Sequence, residues 1–166
     1  EIGFFMENVV SEPRRLAIHC LAAVEAKECL VPQAMAKLPY RMEEQDLALA
    51  HELIYGSLRY LPGLNRVVKK FCRKGKLPPK LRWILVISLY QLRFLRVPDY
   101  AVLDQANRLA MHFKMKGLKP LVNGVLRNVL RAGDELWDSI DLAKWLLPDW
   151  LAQCFREQYG EARLAE

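Results

Sequence analysis

Apolar residues recur every three or four positions along nearly the whole chain, and no segment alternates them one by one over the length of a strand. The pairs Leu121/Val122, Val125/Leu126 and Val129/Leu130 return every four residues, which puts them on one side of a helix over 119–131 and leaves Asn123, Arg127 and Arg131 on another. Ala17, Cys20, Leu21 and Val24 make a similar stripe in the first helix, which Ser11 can cap and Pro13 enters at the first turn. A third stripe, Leu47, Ala50, Ile54, Leu58 and Leu61, runs along a helix over 43–61 that Pro62-Gly63 closes. Ala101 or Val102, Ala106, Leu109, Ala110 and Phe113 line the inner side of a helix over 100–116. A short helix over 32–38 ended by Pro39, a basic helix over 64–74, a hydrophobic helix over 80–96 stopped by Pro98 and a last helix over 149–159 complete the reading. The pattern predicts an all-α bundle of about seven to eight helices.

Gly56 and Gly124 stand inside helices, where glycine costs about 1 kcal/mol relative to alanine. Close approach of a neighbouring helix is the expected compensation. Tyr90 and Gln91, inside the hydrophobic helix, are expected in the core with their polar groups satisfied internally. Gly133 closes the helix before it, and the following residues, 134–149, turn acidic and rich in tryptophan. The organisation expected is a leader over 1–10, a main domain over 11–133 and a C-terminal extension over 134–166.

A chain of 166 residues, 52% hydrophobic, can bury a core without disulfide or metal. Its longest uncharged apolar run, Trp83 to Leu92, is half of the roughly 20 residues that a membrane span needs, so no membrane partner is expected. Residues 1–12 carry three glutamates and no basic cluster, unlike a secretory signal, and a cytoplasmic location is expected. Cys20, Cys29, Cys72 and Cys154 form no CxxC pair, and His19, His51 and His112 do not stand at HExxH spacing, so no metal site is expected. His51 and Glu52, adjacent on a helix, point about 100° apart and make no catalytic dyad.

The charge is unevenly placed. Residues 53–98 carry 11 basic side chains and no acidic one, whereas residues 1–52 and 133–166 are net acidic. Solubility alone favours interspersed signs; a 46-residue stretch without Asp or Glu fits a surface for a polyanion. Arg66, Lys69, Lys70, Arg73, Lys74, Lys76, Lys80 and Arg82 are the candidate contacts, several of them on one helix face and the rest in or after the loop at its end. The plain alternative is a solvated surface without a partner. Arg14 and Arg15 lie in the first turn of the first helix, where they oppose its dipole, so helix stability does not explain them. Arg127 and Arg131 are further candidates, with pairing to acids as the structural alternative.

The series P-R-R-L-A (13–17), L-I-Y-G-S-L-R (53–59), L-Y-Q-L-R-F-L-R-V-P (89–98) and L-V-N-G-V-L-R (121–127) resembles the NusB-like fold. More narrowly, it is similar to the N-terminal domain of the RsmB (Sun/Fmu) enzymes, which methylate a cytosine of small-subunit ribosomal RNA at carbon 5. The tail L-P-D-W-L-A-Q-C-F-R-E-Q-Y-G (147–160) resembles the segment that joins this domain to the catalytic one. The resemblance implies an RNA-binding NusB-like bundle whose partners are ribosomal RNA and its own methyltransferase domain, and in which Arg14 and Arg15 match basic positions used on RNA. The family's catalytic part carries a Gly-rich loop for S-adenosylmethionine and a cysteine preceded by proline; this sequence has neither a GxG nor a Pro-Cys. No catalytic residue and no cofactor are therefore expected in this chain, S-adenosylmethionine belonging only to an absent catalytic domain. Two other readings stay open: a free-standing NusB-type antitermination factor, and a protein-interaction domain whose basic face docks on an acidic partner.

Overall fold

Prolines mark where helices begin. Pro13, Pro32, Pro62, Pro79 and Pro120 each occupy the first turn of a helix, where a backbone N–H has no intrahelical partner to lose. Pro98 and Pro148 immediately precede two more. The computed structural model describes residues 12–37, 42–72, 75–140 and 145–160, and among these are eight α-helices and no strand. They are α1 (Glu12–Glu25), α2 (Val31–Lys37), α3 (Glu44–Arg59), α4 (Leu61–Phe71), α5 (Pro79–Tyr90), α6 (Asp99–His112), α7 (Lys119–Asp138) and α8 (Asp149–Tyr159). The leader, Ser11, Pro39, Arg73, Lys74 and the chain from 161 onward lie outside the described residues. The all-α bundle expected from the periodicity is what forms.

α5 is the axis of the bundle, with α1, α3, α4, α6 and α7 packed around it. Every residue from Trp83 to Tyr90 is buried, so this part of the helix has no solvent face, and its charges, Lys80 and Arg82, sit in the first turn. That is why its sequence shows an apolar run rather than a stripe. Fully burying side chains such as Ile84, Leu85 and Ile87 contributes about 1.5–3 kcal/mol each. Among the described residues no helix is long and apolar enough to cross a membrane.

Tyr90 and Gln91 sit in the core as expected, only 4% and 1% exposed. The Tyr90 hydroxyl donates to Glu52, and the Gln91 amide donates to the Ile87 carbonyl at 3.0 Å. Burial and the neighbouring Glu52 hold the Tyr90 phenol protonated well above its ordinary range. After α5 the chain widens into one π-helical turn, Gln91–Leu95, and leaves it through Arg96 at φ 51.

Four details depart from the sequence reading. Leu47, assigned inward, is 40% exposed, while Leu53 is fully buried: the inner stripe of α3 is set by its crossing with α1 and α5. Pro62-Gly63 is no loop but the first turn of α4, and Gly63 is buried because the Trp145 ring lies where a side chain would stand. Gly56 meets the Tyr90 ring in the same way, so close approach explains it. Gly124 faces open space, so close approach does not. At Gly133 the backbone leaves the helical region (φ 60, ψ −156), a conformation that favours glycine, but the helix resumes to Asp138.

The acidic, tryptophan-rich segment divides. Trp137 and Trp145 are buried, 8% and 6% exposed, with their rings stacked at 6.0 Å. Trp145 also meets Phe94 edge-on at 5.7 Å, and Phe94 stacks on Tyr60 at 4.2 Å. On α8 only Ala152 is buried; Trp150 is 67% exposed, and Phe155 and Tyr159 also face solvent.

Candidate nucleic-acid interface

The acid-free stretch folds into α4, the loop after it and α5. Lys69 and Lys70 close α4 on its exposed side, where their charge complements the negative end of the helix dipole. Lys76 is exposed in the loop, and Lys80, half-buried, places its Nζ 4.9 Å from the centre of the Phe113 ring. Lys69, Lys70 and Lys76 make no ion pair among the described residues.

The two arginines of this group that are described behave differently. Arg82 donates to Asn65 at 2.9 Å, pairs with Glu25 at 2.8 Å and lies over the Trp83 ring at 4.3 Å. The indole of Trp83 donates to the same Glu25 carboxylate at 2.8 Å. Arg82 thus ties α1, α4 and α5 together. Arg66 pairs with Asp149 at the start of α8, and this hydrogen bond and charge hold the Asp149 carboxyl below the usual carboxylate range. The acids that answer the basic block come from far along the chain. Its charge is locally unneutralised in sequence; in space Arg66 and Arg82 find acids, and Lys70 and Lys76 make no ion pair among the described residues.

Arg14 and Arg15, adjacent in sequence, separate in space. Arg14 turns inward, donating from Nε to the Gln91 amide oxygen at 2.8 Å, and burial lowers its pKa while Asp46 partly offsets that. Arg15 joins a different group, in which its charge acts on His19 and His112. Both histidines contact the Phe113 ring, at 5.1 and 5.0 Å, and Lys80 reaches the same ring. This gathering of α1, α5 and α6 is invisible in the sequence because its members are 32 or more positions apart, apart from neighbours on one element.

On α7, Arg127 and Arg131 are exposed, and Arg131 donates to Asn128 at 3.2 Å rather than to an acid. The Asn123 side-chain oxygen accepts from Asn107 at 2.8 Å and joins α7 to α6. His51 stacks edge-on with Tyr55, while Glu52 serves Tyr90, so the two do not act together. Cys20 is buried, which raises its thiol pKa to about 11 and makes it a poor nucleophile. Among the described residues no three His, Cys, Asp or Glu side chains stand together as a metal site would need.

The family model of the NusB family matches residues 11–131. Ribosomal RNA small subunit methyltransferase B of Proteus mirabilis (strain HI4320) is 31% identical over 153 residues, covering 89% of this chain and 36% of that protein. The protein of the same name from Pasteurella multocida (strain Pm70) is 31% identical over 173 residues, covering 96% and 37%. That from Cronobacter sakazakii (strain ATCC BAA-894) is 32% identical over 148 residues, covering 86% and 34%. The chain therefore spans about a third of the length of these relatives. With the bundle, the order of its motifs and a family match over most of its length, the chain belongs to the NusB family.

Proposed function

We propose that this chain is the RNA-binding part of a ribosomal-RNA cytosine-5 methyltransferase, which positions small-subunit ribosomal RNA for a catalytic domain elsewhere in the protein. The observation that carries the reading is the lysine surface: Lys69, Lys70 and Lys76 face solvent and make no ion pair among the described residues, in a block from which Asp and Glu are absent. The names of the relatives, ribosomal RNA methyltransferases of which the chain matches about a third, supply the substrate class. Lysines placed on phosphates set register and orientation without reading sequence, and base choice falls to the catalytic domain. S-adenosylmethionine belongs to that domain, and the residues here supply neither its Gly-rich loop nor a Pro-Cys nucleophile. The outward aromatic residues of α8, Trp150, Phe155 and Tyr159, are the surface on which the catalytic domain would rest.

Two binding measurements test this. Fluorescence anisotropy with a small-subunit ribosomal-RNA hairpin is expected to show saturable binding at moderate salt, and calorimetry with S-adenosylmethionine no stoichiometric heat. Absence of RNA affinity would turn the reading to an acidic protein partner. Stoichiometric cofactor binding would contradict the division of labour.

A further inference from the structure

We infer that the cleft between α4 and the head of α8 takes one nucleotide of an RNA strand, whose phosphate replaces the carboxylate of Asp149 on Arg66. The cleft, about 500 Å³, opens to solvent and has two kinds of wall. Leu61, Pro62 and Leu146 give it an apolar side on which a sugar and base can rest, and Arg66, Lys69 and Asp149 form its charged edge. Arg66, Lys69 and Lys70 stand at three- and four-residue spacing on one side of α4, so this edge runs on into the lysine surface. A strand whose phosphates lie on Lys69 and Lys70 passes the cleft next.

The protein already holds an oxyanion at this edge, because Asp149 is one. Its carboxylate accepts from the Arg66 guanidinium, and the charges of Lys69 and Arg156 also act on it. The other contacts of Arg66 leave this place for an anion, since the carboxylate occupies it. The Asp149 side chain is 92% exposed and can swing into water, whereas that of Arg66, 26% exposed, stays at the cleft. An exposed ion pair contributes little, so its exchange is cheap. A phosphodiester brings a full negative charge and two oxygens that match the fork of a guanidinium. Two anions cannot share the edge without repulsion, so RNA in the cleft and Asp149 on Arg66 are alternatives. Helix α8 buries only Ala152, and its head can shift without opening the core.

The site rests on the proposed function for its ligand and adds to it the exchange with Asp149. Fluorescence anisotropy with a single-stranded RNA oligomer tests it at low salt, where ion pairs are least screened. Asp149→Asn removes the internal competitor and should tighten RNA binding about two- to fivefold, the factor by which an exposed ion pair opposes it. Glu157→Gln removes the same charge from an exposed position farther along α8 and should leave the affinity near that of the unaltered chain. Arg66→Gln added to Asp149→Asn should abolish the gain, with the fold of every variant checked by circular dichroism. A gain from Asp149→Asn no larger than that from Glu157→Gln, or one that survives the loss of Arg66, would overturn the exchange while leaving RNA binding in place. RNA affinity absent from every variant would remove the RNA reading and this site with it.

Discussion

Arg82 and Lys70 carry the same charge in the same acid-free block, yet one is a clamp and the other a solvated surface group. Arg82→Gln removes a half-buried hydrogen-bonded ion pair and should cost about 1–3 kcal/mol in urea denaturation. Lys70→Gln should change stability by no more than about 0.5 kcal/mol. The sequence could nominate both residues but not separate them, because Glu25 and Asn65 are distant in the chain. The glycines divide in the same way. Gly56→Ala drives a methyl group into the buried Tyr90 ring and should destabilise by about 1–3 kcal/mol. Gly124→Ala adds it to open space within α7 and should stabilise by about 0.5–1 kcal/mol. Equal effects from the two would contradict the packing described. For His19, whose pKa is lowered on folding by burial and by Lys80, the unfolded chain binds the proton first as pH falls. Its contribution is therefore present above the unfolded value near 6.5 and is lost on acidification through and below it. His19→Gln should flatten the stability profile in that window, as thermal melts at a series of pH values will read.

At the level of elements, what could be read from the sequence was what repeats locally. Proline positions and the three-to-four spacing placed the starts of α1, α3, α5, α6 and α7 to within about a residue, because helix starts and apolar stripes are encoded within one element, while the ends of α5 and α7 fell six and seven residues from those expected. What could not be read required a partner from elsewhere: the Trp145 ring over Gly63, the Tyr60–Phe94 stack and the π turn after α5. The C-terminal segment shows the consequence. Its tryptophans look alike in sequence, but Trp145 is buried in an aromatic cluster and Trp150 is 67% exposed. Trp145→Ala should cost about 3–5 kcal/mol, whereas Trp150→Ala should stay within about 0.5 kcal/mol. Denaturation curves of the two variants decide it, and similar losses would mean that α8 is held to the bundle more firmly than its single buried residue, Ala152, implies.

For the molecule as a whole, the fold separates charge by use. Arg66 and Arg82 bind acids from α8 and α1 and hold helices together, and Lys69, Lys70 and Lys76 face outward. The uneven charge was plain in the sequence, whereas the cationic group around Phe113 was not, since α1, α5 and α6 meet only in the folded chain. The central claim is that the lysine surface binds RNA through phosphates, and salt-titrated binding to a ribosomal-RNA hairpin tests it most directly. If about four phosphates are met, log affinity should fall with log salt at a slope near −3, using roughly −0.7 for each contact on single strands. Lys69→Gln with Lys70→Gln should weaken binding to every RNA by a similar factor and flatten that slope by about one to one and a half units, while Lys37→Gln on α2 leaves both unchanged. Equal losses from the two sets of substitutions, or a slope indifferent to Lys69 and Lys70, would contradict it.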